Sequence, residues 1–408
     1  MKSGKQALYS LKNKNFLILW LGMFASINAM EMAGIAGGWL VYTMTGSSLA
    51  LGVVMAAGGI PLILFSLFGG AVADRVKKRN LLFITQTSLC AVAMVITGLV
   101  GFKVILLWHL ILTSMFSGLV NSFNMPARQA ILLEVVKEDE LTNAIALNST
   151  AGNICRIGSP ALAGVLLSFI GIPGVYGIVA FGYGLAAFSL LLLPEVEKQP
   201  KKSGRKAAVA VMEDVVEGLK YVRSNPTLFS LLLLAFVPLI TAVHYFSLMP
   251  VFAKTIFKAG EKGLGLLMSS AGIGALCGSF LIAVLGNFRR KGQLMLWSGM
   301  LFGLSLVCFA LAGSLITAMI FLVVVGAGGS MFLTLIMSLI MSNTPQDLIG
   351  RVMSIFIMTW GLMPLSALPA GGLAQVFGAP LVVSVGGAIL FLFLMIMSFM
   401  QPQLRRLQ

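Results

Sequence analysis

Apolar residues fall along this chain in twelve blocks, each about as long as a bilayer is thick, parted by short polar breaks and one long one. A spanning helix needs roughly 20 mostly apolar residues. On that count the blocks lie near 16–43, 48–72, 80–101, 104–127, 143–170 and 174–194, then near 228–253, 263–286, 293–313, 315–342, 351–376 and 380–400. The pattern predicts an all-α membrane protein of twelve transmembrane helices in two six-helix bundles. Its parts would be an N-terminal bundle (1–194), a cytoplasmic linker (195–226) and a C-terminal bundle (227–408). The linker opens as a flexible basic stretch with Lys198, Lys201, Lys202, Arg205 and Lys206. Met212, Val215, Val216, Leu219 and Val222 then recur at helical spacing opposite Glu213, Asp214, Glu217 and Lys220. That predicts an amphipathic helix, lying on the membrane surface or against the helix ends, as a spacer or a regulatory element. Asn225-Pro226 stops it, because the residue before a proline is pushed out of helical geometry.

Composition points the same way, since 58% of the 408 residues are apolar and only 10% charged. No soluble domain needs that much apolar material. The net charge of +15 raises nucleic acid as a partner until the charges are placed. Twenty-three of the 28 Lys and Arg fall in the termini or in loops on the side of Asp74. Four (Lys103, Lys254, Lys258, Lys262) fall on the other side, and Arg156 sits within a span. Basic residues accumulate on the cytoplasmic face. The charge is therefore a topology signal that puts both termini in the cytoplasm of a multi-pass protein of the inner (plasma) membrane. Cys90, Cys155, Cys277 and Cys308 each sit in a different apolar block, without metal-ligand spacing. Lys2 to Lys14 have the charge of a signal peptide's start, but the run that follows is span-length and contains Glu31, so the first span is expected to stay.

The loop after span 2 reads Gly70-Ala71-Val72-Ala73-Asp74-Arg75-Val76-Lys77-Lys78-Arg79. This G-x-x-x-D-R-x-x-(K/R)-R spacing resembles the signature loop between the second and third spans of the major facilitator superfamily, with Lys77 where a glycine is usual. Further stretches are similar to that superfamily's enterobactin-exporter and macrolide-efflux branch. They are Trp39-Leu40-Val41-Tyr42, Asn124-Met125-Pro126-Ala127-Arg128-Gln129-Ala130, Glu140–Ser149, Glu217–Arg223 and Gly350-Arg351-Val352-Met353-Ser354. The resemblance covers nearly the whole chain in order. It implies two six-span halves related as parallel repeats, working by alternating access. It also implies that Gly70, Asp74, Arg75, Lys78, Arg79 and Arg351 form a gate, with Asp74 near the start of span 11, where a helix dipole favours negative charge. Gly152, Gly158, Pro160 and Gly164 in span 5 are similar to the superfamily's antiporter motif, except that Ser159 replaces the glycine before the proline. The alternative is that these residues only allow close helix packing and a bend.

Ionisable residues inside a span are expensive and therefore functional candidates. Glu31 and Arg156 both lie near mid-bilayer. One reading is a proton-coupling carboxylate with a guanidinium that biases its protonation; the other is a buried pair that only fixes packing. In the implied fold, spans 1, 4, 7 and 10 line a central cavity. His109 and His244 are then cavity candidates, although a packing role explains a lone histidine better. Asn28, Asn121, Asn124, Thr241, Tyr245 and Thr334 are weaker ones. A cavity with few charges suits amphipathic solutes better than sugars or phosphates. There is no nucleophile elbow, no His/Cys/Asp cluster with ligand spacing and no P-loop. The chain is accordingly expected to be no enzyme, to need no cofactor or metal, and to bind no nucleic acid.

The sequence therefore points to a secondary active transporter whose expected partners are the lipid bilayer, a small-molecule substrate and protons, and which is expected to act as a monomer. The resemblance implies proton-coupled export of hydrophobic or amphipathic small molecules of drug, macrolide or siderophore-like kind. An importer, a facilitator or a lipid flippase on the same fold, or a non-transporting receptor or scaffold, stays open at this point.

Overall fold

A computed structural model describes residues 9–136, 140–194, 217, 220–286, 288–345, 348–361 and 363–407. Most of the expected amphipathic linker helix, including Met212, Val215, Val216 and Leu219, lies outside them; Glu217 and 220–224 are helical. Every regular element among the described residues is helical. The spans are α1 (Lys14–Thr45), α2 (Ser48–Arg75), α3 (Lys78–Gly101) and α4 (Leu107–Val135). Leu141–Leu191 keeps helical hydrogen bonding throughout, yet Gly171 has φ 64° and ψ −176° in its interior. It is therefore two helices, α5 (141–170) and α6 (172–191), joined at a corner that only glycine turns without strain. Pro226–Thr241 begins α7, which resumes as Tyr245–Val251 and closes with a π-helical turn, Phe252–Ile256. Then come α8 (Gly260–Leu285), α9 (Lys291–Ala310), α10 (Leu315–Ser342), α11 (Ile349–Gly361 with Met363–Phe377) and α12 (Ala379–Met400).

Two expected boundaries move. Span 4 does not end at residue 127: α4 carries Pro126 inside it and runs on to Val135. The apolar residues Ala130, Ile131, Leu132 and Val135 keep a helical face to bury, and Ile131 and Leu132 are buried. Span 7 is not one rod but is interrupted at Ala242–His244. Pro238 lacks the N–H of its own turn, and its carbonyl takes both Ala242 N–H (2.8 Å) and Val243 N–H (2.9 Å). The start of α7 is well specified, with Asn225 Oδ1 accepting from the N–H groups of Thr227 (3.1 Å) and Leu228 (3.3 Å).

The chain divides into two compact units, one of Met1–Leu40 with Ala57–Ala208, the other of Val41–Ala56 with Val209–Gln408. In the first unit α3 packs against α4 and against the α5–α6 pair. At one end of that unit Phe16, Leu19, Ala73, Leu82, Ile131, Ala144 and Leu190 share an apolar core. They come from the starts of α1, α3 and α5 and the ends of α2, α4 and α6, so successive helices run in opposite directions. A Cβ on Gly118 of α4 would collide with the Gly58 carbonyl of α2, so these backbones touch where both residues lack side chains. In the second unit α8 lies along α10, α10 along α9, and α9 along α12.

Candidate functional site

The polar groups inside the first unit gather on one stretch of α1. A buried polar group must find a partner or cost free energy, and here the partners come from α3, α4 and α5. Asn28 donates to the Phe24 carbonyl (2.9 Å) and to Cys155 Sγ (3.0 Å), and its Oδ1 accepts from Ser159 Oγ (2.5 Å). Ser159, which replaces the glycine of the span-5 motif, is thus a hydrogen-bond donor to the expected cavity residue Asn28. Cys155 Sγ also points at the Phe24 carbonyl (3.8 Å), and Arg128 Nη2 donates to the next carbonyl along, that of Met23 (2.9 Å). Trp20 Nε1 donates to the Leu147 carbonyl (3.2 Å), and Ile27 packs at Gly152. Gly152 and Pro160 therefore sit where α5 meets α1, and Gly164 is buried in the same helix, whereas Gly158 is exposed.

Pro160 has an energetic consequence at this site. Its missing N–H leaves the carbonyl of Arg156, four residues earlier, without its intrahelical donor. The Arg156 side chain is exposed although it lies mid-helix, and Glu31, one turn beyond Asn28, is half-buried. Arg156 acts electrostatically on Glu31, yet no ion pair within 4.0 Å joins them. The two residues singled out from sequence are thus neighbours without a direct bridge.

Arg128 was missed. Counted from sequence as part of a cytoplasmic loop, it is instead a half-buried residue of α4 that reaches α1. The signal that could have found it is the apolar run 130–136, which continues a helical pattern past Pro126. Asn148 on α5, also unremarked in the sequence, buries its Oδ1 without a hydrogen-bond partner. A second polar layer ties α1 and α4 to α3: Ser26 pairs with Gln86 (3.1 and 2.9 Å), and Asn124 donates to Thr85 (2.7 Å). Asn124 is accordingly a packing tie between α3 and α4.

The remaining candidates are scattered. His109 accepts the Leu106 N–H on Nδ1 (2.9 Å) in the first turn of α4, which is a capping role. Asn121, Thr241 and Thr334 donate back to the carbonyls of Ser117, Val237 and Ser330 in their own helices. Tyr245 stacks edge-on against Phe302. His244 is only 5% exposed, and the Ile240 backbone is the polar group its ring meets, without a hydrogen bond of good geometry. It lies at the break in α7, close to Gly386 of α12.

In the basic signature, α2 continues through Gly70 and Asp74 to Arg75, which is exposed. The described side chains do not include that of Asp74. Lys78 pairs with Glu134 of α4 (3.0 Å). Arg79 donates through Nε and Nη2 to the carbonyls of Leu190 (2.7 Å) and Leu191 (2.9 Å), which end α6. A cation there complements the negative end of the helix dipole. In the second unit, Arg351 pairs with Glu217 (2.7 Å).

Comparison with known proteins places this geometry in a family. The chain is 27% identical to the staphyloferrin A transporter of Staphylococcus aureus (strain NCTC 8325 / PS 47) over 373 residues, 90% of this chain and 91% of the relative. It is 23% identical to macrolide efflux protein A of Streptococcus pyogenes, over 71% of each chain. It is also 23% identical to an enterobactin exporter of Shigella flexneri, over 83% of this chain and 79% of the relative. Among solved structures, the nucleoside transporter NupG superposes with a TM-score of 0.69 at 16% identity, covering 97% of this chain and 100% of that one. A POT family transporter in complex with 5-aminolevulinic acid gives 0.71 at 13% identity, covering 96% and 97%. The family model described as transmembrane secretion effector matches residues 5–407. The chain belongs to that family of major facilitator transporters, and it is a multi-pass membrane transporter rather than an enzyme.

Proposed function

We propose that this transporter exports amphipathic, largely hydrophobic small molecules in exchange for protons, by alternating access. The observation that carries the reading is Glu31, a carboxylate in the interior of α1 under the influence of Arg156 on α5. A charge at that depth is costly enough to need a use. A carboxylate whose proton affinity differs between two states couples proton movement to the change of state. Two relatives bear names of efflux or export, which favours that direction over import. Both termini would face the cytoplasm, because basic residues crowd the loops on the side of Lys77 and Lys78.

The test is transport by the purified protein in liposomes, over a panel of amphipathic solutes, with and without an imposed pH gradient. Gradient-driven accumulation that a protonophore abolishes is the expected result. Glu31→Gln should remove it and leave substrate binding intact. Equal flux with and without the gradient would show a facilitator, and no flux of any solute would favour the receptor or scaffold.

A further inference from the structure

The charges inside the first unit do not balance. Among its described residues that lie more than a turn inside a span, the carboxylate is Glu31 and the guanidiniums are Arg128 and Arg156. The surplus is one positive charge within the membrane-spanning helices, where an ionisable side chain without a counter-charge is unfavourable. Resting on the transport reading above, we infer that the substrate carries one anionic group and that Arg156, backed by Arg128, receives it.

Three observations converge on this site. Arg128 and Cys155 contact the consecutive α1 carbonyls of Met23 and Phe24, so α4 and α5 bring Arg128 and the residue beside Arg156 to the same point of α1. Cys155, Tyr183 and Arg156 are titratable neighbours of Arg128, so the two guanidiniums lie in one neighbourhood. The hydrogen bond of Arg128 to α1 uses one of five N–H donors and reaches a neutral carbonyl. Arg156 is exposed in mid-span and makes no ion pair with Glu31 within 4.0 Å. A guanidinium so placed cannot face lipid at low cost, and so faces a space that water or a solute can enter.

The two arginines differ in what they can do. Arg128 is half-buried and hydrogen-bonded to α1, which makes it a fixed positive field. Arg156 presents an open planar fork, and a fork of N–H donors matches the two oxygens of a carboxylate. The half-buried Phe24 on α1 would take part of the rest of an amphipathic molecule. The chemistry favoured is a single carboxylate on a hydrophobic body, because the surplus to be neutralised is one charge. Sugars and other uncharged solutes would leave it standing.

The experiment needs no variant for its first arm. Three radiolabelled arylalkyl bodies of different size, each as the carboxylate and as the primary carboxamide, are bound to the full chain in nanodiscs at neutral pH, with empty nanodiscs subtracted. At least one body should bind as the carboxylate at least about ten-fold more tightly than as the amide, or about 1.4 kcal/mol. Arg156→Gln should erase that preference while keeping amide affinity within about two-fold of the parent, and Arg156→Lys should restore part of it. Equal binding of acid and amide by the parent protein overturns the site and leaves the transport reading standing, as does a preference that survives in Arg156→Gln. Absence of binding for every body overturns both.

Discussion

The hydroxyl of Tyr42, at the end of α1, lies 2.6 Å from the hydroxyl of Thr255 in the π-helical turn of α7. Beside it, Lys254 Nζ donates to the Thr43 carbonyl (3.2 Å) and stands 5.7 Å from the centre of the Tyr42 ring. The Ser48 N–H, at the start of α2, donates to Gln375 Oε1 of α11 (2.9 Å). These contacts explain why Val41–Ala56 groups with the second unit. Both Lys254 and Thr255 lie in the π-helical turn, Phe252–Ile256.

The first prediction follows from that hydroxyl pair. Tyr42→Phe keeps the buried ring and removes one hydrogen bond, worth about 0.5–1.5 kcal/mol net. Amide hydrogen exchange in 252–259 should rise roughly three- to ten-fold. Lys258→Gln, in the same segment but away from the Tyr42 and Thr43 contacts, serves as the control. Unchanged exchange in Tyr42→Phe would show that Lys254 holds the segment without it.

Ser159 allows a sharper test of the α1–α5 contact. Ser159→Ala strips Asn28 Oδ1 of its donor and should cost about 1–3 kcal/mol, the usual penalty for an acceptor left unpaired. Ser159→Gly, the residue usual in the family's motif, loses the same bond and adds roughly 1 kcal/mol of helix propensity. Unfolding in mixed micelles should therefore rank the parent above Ser159→Ala and Ser159→Ala above Ser159→Gly. Should Ser159→Gly prove as stable as the parent, the hydroxyl contributes nothing and the motif is only about backbone packing.

The sequence shows the spans because bilayer thickness sets a length that any apolar run must meet, and it shows the α5–α6 corner because Gly171 and Pro173 interrupt one. It does not show Arg128. A basic residue after Pro126 reads as loop, and only the position of the Met23 carbonyl on another helix reveals what the guanidinium does. His109 fails for a related reason, since its capping role depends on the backbone at Leu106 and not on its place in a hydropathy pattern. Ser159 is an intermediate case. Its departure from the motif is visible in the chain, but its partner Asn28 is 131 residues away.

The third prediction concerns Arg79, whose two donors hold the last carbonyls of α6. Arg79→Lys keeps the charge and loses the fork, so it should retain part of the stability that Arg79→Ala loses. The Lys78–Glu134 pair, with 16% and 17% of its side chains exposed, should behave differently. Exchanging the charges in Lys78→Glu with Glu134→Lys should recover much of what either single change costs, read as a coupling energy in a double-mutant cycle. A coupling energy near zero would mean that the pair adds nothing beyond its packing.

Those two cations separate the parts of the signature loop. Lys78 and Arg79 bind α4 and α6 within the first unit, so their loss should lower stability whether or not the protein is transporting. The gating role that the family resemblance assigns to the loop then falls to Asp74 and the exposed Arg75 at the end of α2. A gate acts by stabilising one state over another, and a change there shifts populations without unfolding either state. Asp74→Asn should therefore abolish transport in liposomes while expression, insertion and unfolding midpoint stay as in the parent. Arg79→Ala should instead lose stability and transport together. If Asp74→Asn transports at the parent rate, the loop's charges only orient α2 and α3 in the bilayer, as the bias of basic residues toward one face would by itself require.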